Sequence, residues 1–284
     1  MLKQRIITAL VLLAILLPAL FYPSPVPFTA VVLVLMAAGA WEWGRLNGCS
    51  FAGSVAVGAV CVALCGASWV SGLAGQVLTP LWVAAGAGWV LGSAWLLRAG
   101  VAGWPRIPAP LRLVSGVLAL WLAWLAVVQA RAVGINFLLS VMTLVWMADI
   151  AAYFAGRAFG LRFTKNKLAP SISPGKSWEG VWGGVTGVLV LALCWVAADT
   201  RLQAPVASLY TRLAEQGWWL LLLGVLFMAA MSVVGDLIES LIKRSAGVKD
   251  SSNLLPGHGG VLDRVDALLP TLPLAMMLST LVTT

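Results

Sequence analysis

The sequence predicts an all-α, polytopic membrane protein with about nine transmembrane helices and a cytoplasmic N-terminus. Three observations carry that expectation. Of the 284 residues, 61% are hydrophobic and 10% charged, with a mean hydropathy of +0.97, whereas an average soluble domain is about 25% charged. Apolar stretches of roughly 20 residues, the length that crosses the hydrocarbon layer as a helix, recur along the whole chain. The basic residues gather in alternate connections between those stretches. The same composition excludes a disordered chain, and Cys49, Cys61, Cys65 and Cys194 are scattered through apolar sequence rather than spaced as a disulfide framework.

The spans fall at 6–22, 27–46, 51–70, 78–97, 111–130, 135–155, 178–198, 217–239 and 263–282. The first, with Lys3 and Arg5 ahead of it, also has the outline of a signal peptide. It runs into Phe21-Tyr22-Pro23-Ser24-Pro25 rather than a small-residue cleavage site, so an uncleaved span is expected. With the N-terminus inside, fifteen of the 18 basic residues face the cytoplasm and three, Arg131, Arg201 and Arg212, face outward. The net charge of +8 thus belongs to one membrane face, where it serves topology and attracts anionic headgroups. Nucleic acid is not an expected partner, because no soluble basic domain exists to bind it.

Two regions follow. Residues 1–131 are nearly all Ala, Val, Leu, Gly and Trp, with Glu42 their only acid, and carry no sign of chemistry. Their tryptophans read as packing and interfacial anchors, and the pairs Gly88/Gly92 and, further on, Gly183/Gly187 as close helix contacts. Residues 132–284 form the expected catalytic region: nine of the ten acidic residues lie beyond Trp146, together with two polar cytoplasmic loops, 156–177 and 240–262.

Asp149 lies inside an apolar span, where a charge is costly. It is therefore a functional candidate facing the protein interior, or else a partner for a buried cation such as Arg157. Asp236, Glu239, Ser240 and Lys243, spaced i, i+3, i+4 and i+7, share one helical face at the end of the eighth span. Asp263 and Asp266 share a face at the start of the ninth. Taken singly, Glu239 with Lys243 also reads as an ordinary ion pair, and the two aspartates as helix N-terminal caps. All five carboxylates lie near one depth, and mutually repelling carboxylates are usually compensated by a cation. An oxygen-only donor set points to Mg²⁺, bound by one or two carboxylates with water and substrate phosphate; a second cation such as K⁺ stays open. Zinc is not expected, since His258 is the sole histidine.

The second loop contains Lys249, Asp250 and the run Pro256-Gly257-His258-Gly259-Gly260, whose glycines would let backbone amides approach an anion. The first offers Ser173, Lys176 and Ser177 ahead of a helix start, a setting suited to triphosphate oxygens. Gly175-Lys176-Ser177 matches only the end of a Walker A motif, without its first glycine or its strand-loop-helix setting, so a P-loop NTPase is rejected.

The run Ser240-Leu-Ile-Lys243-Arg244-Ser-Ala-Gly-Val-Lys249-Asp250-Ser-Ser-Asn-Leu-Leu-Pro256-Gly257-His258-Gly259-Gly260-Val-Leu-Asp263-Arg264-Val-Asp266 closely resembles the signature of the phosphatidate cytidylyltransferases, or CDP-diacylglycerol synthases. The stretch Ser173 to Gly180, and Ala148-Asp149 followed by Ala152 to Arg157, resemble further elements of that family. Ile150-Ala151 departs from it, where a small or hydroxyl residue and a glycine would be expected. The resemblance implies a reaction in which CTP and phosphatidic acid give CDP-diacylglycerol and pyrophosphate. It also implies a homodimer, a Mg²⁺ requirement and a metal site around Asp236, Asp263 and Asp266.

On this reading Lys243 and Lys249 would neutralise charge on the departing pyrophosphate, and Asp250 would complete the catalytic set with Asp263 and His258. His258 is expected to donate to phosphate or anchor the loop. Ser173, Lys176, Ser177, Asp149, Gly259, Gly260 and Arg264 would bind substrate. CTP, phosphatidic acid and membrane lipids are the expected partners, at the cytoplasmic face of a bacterial inner membrane. A nucleotidyltransferase acting on another lipid phosphate is the nearest alternative, and a transporter the more distant one.

Overall fold

The computed structural model describes residues 2–282; the side chains of Lys3 and Arg5, on which part of the orientation argument rests, lie outside the described set. The chain runs α1 (Leu2–Phe21), α2 (Val26–Leu46), α3 (Phe51–Val70), α4 (Thr79–Ala99), α5 (Ala109–Val133) and α6 (Ile135–Phe159). A two-stranded antiparallel hairpin follows, β1 (Lys167–Ala169) and β2 (Ser173–Ser177). Then come α7 (Trp178–Leu202), the short α8 (Leu209–Gln216), α9 (Trp218–Ser245), the single-turn α10 (Leu262–Val265) and α11 (Leu268–Val282). Among the described residues eight helical segments are long and apolar enough to cross a membrane, α10 and α11 counting together. Ile6–Phe21 of α1 is a shorter apolar stretch. The all-α polytopic class stands.

Large apolar side chains point outward around the bundle, among them Leu10, Val34, Phe51, Leu91 and Trp219. In water they would be a liability; against acyl chains they are the solvent-facing surface of an integral membrane protein. Inside, Trp82 and Trp124 are completely enclosed, and several indoles pair with polar atoms on neighbouring helices. Trp82 Nε1 donates to Gln129 Oε1, Trp121 Nε1 to Ser68 Oγ and Trp43 Nε1 to the Arg112 carbonyl. Tryptophan thus fastens α2 to α5 and α3 to α5 as well as filling space, since an indole N–H in a lipid-like interior needs an acceptor.

Small residues set the closest helix pair. A Cβ at Gly187 would stand 2.6 Å from Ala151 Cβ, and one at Gly184 would stand 2.9 Å from the Ala148 carbonyl, so α6 and α7 meet backbone to backbone. The departure at Ile150-Ala151 is accommodated here: Ala151 faces Gly187, while Ile150 is exposed on the outer surface. The expectation for Gly88 and Gly92 is corrected. Among the described residues no atom of another helix lies within 4 Å of either Cβ position, because both glycines line an open cavity rather than a helix contact.

The polar loops are more ordered than the sequence suggests. α9 continues to Ser245, so the second loop is six residues shorter at its start than the 240–262 boundary. The first loop is the β1–β2 hairpin, and Ser177 ends β2 and caps α7 in the same residue, accepting from Gly180 N. Thr8 Oγ1 of α1 donates to the Pro256 carbonyl, which puts the start of α1 on the same side as the second loop.

Candidate active site

The site is built where α9, α10 and the hairpin meet. Gly235 lets α9 approach the α10–α11 junction: a Cβ there would lie 2.6 Å from the Asp266 carbonyl and 2.8 Å from Pro270 Cγ. One residue further on is Asp236, so this close approach is what brings the eighth-span and ninth-span carboxylates together.

Lys243 is the centre of the arrangement. Its Nζ is 2.5 Å from Glu239 Oε2 and 2.5 Å from Asp263 Oδ1, with all three side chains at most 11% exposed. The i, i+4 pair read from the sequence therefore exists, and the same ammonium reaches across to α10. Among the described residues Glu239 has no other partner: its Oε1 is buried without a hydrogen bond. Asp263 is well supplied, its Oδ2 accepting from Ser251 N at 2.9 Å, Ser251 Oγ at 3.0 Å and Gly260 N at 2.7 Å.

A second lysine arrives from the hairpin. Lys176 Nζ is 2.5 Å from Asp236 Oδ2, and Ser240 Oγ donates to Asp236 Oδ1 at 3.2 Å. Asp266 Oδ1 accepts from the adjacent Ala267 N at 2.7 Å. Asp149 is exposed rather than enclosed, close enough to feel the charges of Asp236, Lys176 and Arg264. It makes no ion pair with Arg157, which instead donates to the Tyr153 hydroxyl. Five carboxylates (Asp149, Asp236, Glu239, Asp263, Asp266) thus stand against three cations (Lys176, Lys243, Arg264), leaving two negative charges when all are ionised.

The remaining sequence candidates divide. Ser173 is half-buried on β2 beside Lys176, and Ser177 is committed to the cap of α7. Lys249 and Asp250 are exposed at the mouth of the loop. The His258 carbonyl receives Arg264 Nε and Nη2 at 3.0 and 2.7 Å, so its backbone anchors the turn while its Nδ1 is buried without a partner. The glycine reading needs correction at Gly260, whose amide is spent on Asp263 instead of facing outward. Gly259 has a φ of +84°, and Gly260 is a glycine because Ser251 and Glu42 fill the place of a Cβ.

The sequence, which shows Glu42 only as the lone acid of residues 1–131, assigns it no role. Glu42 is fully buried and accepts from Ser251 Oγ, Ser252 Oγ, Val261 N and Leu262 N. Glu179 was missed too: its Oε1 accepts from Phe163 N, Thr164 N and Thr164 Oγ1 and so holds the approach to the hairpin.

Beside this polar cluster opens an apolar cavity of about 470 Å³ between α4, α5 and α9, lined by Gly88, Gly92, Leu120, Ile238 and Ile242 and reaching Glu239. A charged face and an apolar hollow therefore share one wall, the stretch of α9 from Gly235 to Ile242. Such a site can hold a ligand with an anionic head and an aliphatic body.

Comparison with known proteins agrees with that chemistry. A family model described as "Cytidylyltransferase family" matches residues 3–282. A phosphatidate cytidylyltransferase of Pseudomonas aeruginosa is 42% identical over 281 residues, covering 96% of this chain and 95% of the relative. One of Brucella suis is 36% identical over 274 residues, 94% and 89% of the two chains, and one of Haemophilus influenzae is 48% identical over 140 residues, 49% and 44%. A match that runs from α1 to the end of α11 takes in both the carboxylate and lysine cluster and the helices that shape the cavity, and on it this chain belongs to the cytidylyltransferase family.

Proposed function

We propose that the chain transfers CMP from CTP to phosphatidic acid, releasing pyrophosphate and forming CDP-diacylglycerol for phospholipid synthesis. The observation that carries this reading is the shared wall: Lys176, Lys243 and the carboxylates on one face of α9 and the 470 Å³ apolar cavity on the adjoining face, with Glu239 at the border. A nucleotide triphosphate suits the first and acyl chains suit the second. The relatives, phosphatidate cytidylyltransferases by name, support the same substrates.

In the reaction, an oxygen of the lipid phosphate attacks the α-phosphorus of CTP, and the bond from that phosphorus to the bridging oxygen of the β-phosphate breaks. The attacking oxygen is already anionic, so no general base is required; positioning and charge neutralisation do most of the catalysis. Lys176, fixed on β2, meets the triphosphate from the hairpin side together with Ser173. Lys243 and Lys249 neutralise charge growing on the departing pyrophosphate. His258 Nδ1, buried with no hydrogen-bond partner among the described residues, is the candidate donor to a phosphate oxygen, together with the exposed Arg264.

The donor set fits Mg²⁺ in the manner usual for that ion. Among the described residues no three His, Cys, Asp or Glu groups form a ready cage, but Mg²⁺ takes one or two carboxylates and completes its shell with water and phosphate. Asp236, Asp263 and Asp266 would hold it. When bound, it would screen the phosphates that must approach each other. The reading includes a cytoplasmic-facing site in a bacterial inner membrane, a homodimer, and surrounding lipid as partner.

The deciding experiment incubates the purified protein with labelled CTP, phosphatidic acid and Mg²⁺, beside an Asp263→Asn variant and beside reactions offered other nucleotides and lipid phosphates. A labelled lipid product from CTP and phosphatidic acid alone, lost in a folded Asp263→Asn protein and on chelation, is the expected result. Product from a different nucleotide or lipid phosphate would overturn the substrate assignment, and an active variant would overturn the role of Asp263.

A further inference from the structure

Glu42 is the single acid in the first 131 residues, sits in a helix whose other charge is Arg45, and is fully buried. Burying a carboxylate is unfavourable unless its lone pairs are satisfied. Here they are satisfied entirely by one partner, the second polar loop. Oε1 accepts from Ser252 Oγ at 2.5 Å and Val261 N at 2.9 Å; Oε2 accepts from Leu262 N at 2.8 Å and Ser251 Oγ at 3.1 Å. No lysine or arginine pairs with it among the described residues.

Those four donors come from the two ends of one segment. Ser251 and Ser252 open it, and Val261 and Leu262 close it at the N-terminus of α10, which is too short to order itself. A single side chain from α2 therefore pinches the loop shut at its base. The groups it grips also hold Asp263: the single proton of the Ser251 hydroxyl is shared between Glu42 Oε2 at 3.1 Å and Asp263 Oδ2 at 3.0 Å, and Gly260, packed on Glu42 with no space for a Cβ, sends its amide to the same Asp263 oxygen. Asp263 in turn fixes Lys243.

We propose that Glu42 is a positioning residue for the transfer reaction: from the N-terminal half, without touching substrate, it sets the backbone of residues 251–262 and through it the carboxylate of Asp263. The half of the chain without catalytic motifs thereby supplies part of the active-site scaffold. The inference relies on the reading above for its kinetic readout only; the folding of the loop is measured separately.

The test uses the full-length protein with Glu42→Gln, Glu42→Asp and Ser252→Ala, each confirmed monodisperse in detergent. Hydrogen exchange is followed in peptides covering 249–262 and, as internal control, the α7 segment. Steady-state rates are measured with CTP and phosphatidic acid varied in turn. Glutamine keeps the shape but turns an amide donor toward two of the four donors, so loop exchange should rise while α7 stays protected, and kcat should fall about ten- to a hundredfold at nearly constant KM for phosphatidic acid. Ser252→Ala, which removes one donor and leaves the carboxylate, should give a smaller change of the same kind, and Glu42→Asp should retain more activity than Glu42→Gln.

Unchanged loop exchange and kcat in Glu42→Gln would overturn the proposal. So would exchange that rises equally in α7, with activity lost only in proportion to unfolded protein, because that is a purely structural role. A wild-type protein without cytidylyl transfer would refute the functional reading, while the exchange data would still decide whether Glu42 orders the loop.

Discussion

Replacing Lys243 by methionine keeps an unbranched side chain one atom shorter and deletes the one charge shared by Glu239 and Asp263. The two carboxylates do not suffer equally. Asp263 retains two backbone donors, Ser251 N and Gly260 N, and a share of the Ser251 hydroxyl proton. Glu239, 6% exposed, is left with no partner. Removing one member of a buried pair costs about 3–5 kcal/mol, and because Asp263 stays hydrogen-bonded the lower end, about 3 kcal/mol, is expected. At about 2–4 °C per kcal/mol for a chain somewhat smaller than this one, the melting temperature should drop by roughly 6–12 °C.

The double variant Lys243→Met with Glu239→Met removes the orphaned charge as well, and apolar replacement of a whole buried pair is often close to neutral. It should recover most of the melting temperature and none of the activity. Thermal unfolding in detergent, followed by tryptophan fluorescence, is run alongside the turnover assay. A single variant that melts with the wild type would refute the energetic assignment. A double variant that regains turnover together with stability would reduce Lys243 to a structural role.

Lys176→Met disturbs a pair whose side chains are 24% and 30% exposed, so its stability cost should stay below about 1 kcal/mol while KM for CTP rises; a large drop in melting temperature with unchanged KM would contradict a role in nucleotide binding. Gly235→Ala inserts a Cβ 2.6 Å from the Asp266 carbonyl, and should cost about 1–3 kcal/mol and raise the Mg²⁺ concentration needed for half-maximal rate. An alanine variant with wild-type melting would show that α9 and α11 can part without consequence. Gly88→Leu projects into the cavity from a position with no neighbour within 4 Å, so the fold should tolerate it while KM for long-chain phosphatidic acid rises and KM for CTP does not; equal effects on both substrates would remove the lipid from that cavity.

Much of this molecule can be read from the chain. The spans follow from runs of apolar residues, and the face shared by Asp236, Glu239 and Lys243 follows from helical spacing because α9 continues unbroken through them. What escaped did so for identifiable physical reasons. The hairpin at Lys167–Ala169 and Ser173–Ser177 depends on backbone pairing in a Pro-, Gly- and Ser-rich stretch that carries no strand alternation. α8 is a short amphipathic segment wedged between two spans, visible only in the spacing of Leu209, Tyr210 and Leu213, the residues it buries. Gly88 and Gly92 have the spacing of a helix contact yet line an empty volume, since spacing alone does not say whether another helix is opposite. Glu42 had a usable signal: the cost of an intramembrane acid, the argument that singled out Asp149, applies to it with equal force. What the chain could not give is its partner, which lies 209 residues away in sequence.

The hairpin has a consequence for the thermodynamics of ligand capture. β2 passes into α7 with no intervening residue, and upstream the chain is held by Glu179 through three hydrogen bonds at Phe163 and Thr164. Lys176 is thus carried on a backbone ordered at both ends before any anion arrives. A lysine on a floppy arm would lose backbone freedom on binding, at roughly 1–2 kcal/mol for every residue that becomes fixed. Here that loss is incurred once, during folding. Loosening the grip of Glu179 should therefore appear in calorimetry as a less favourable binding entropy at similar enthalpy, although Glu179 never meets the ligand.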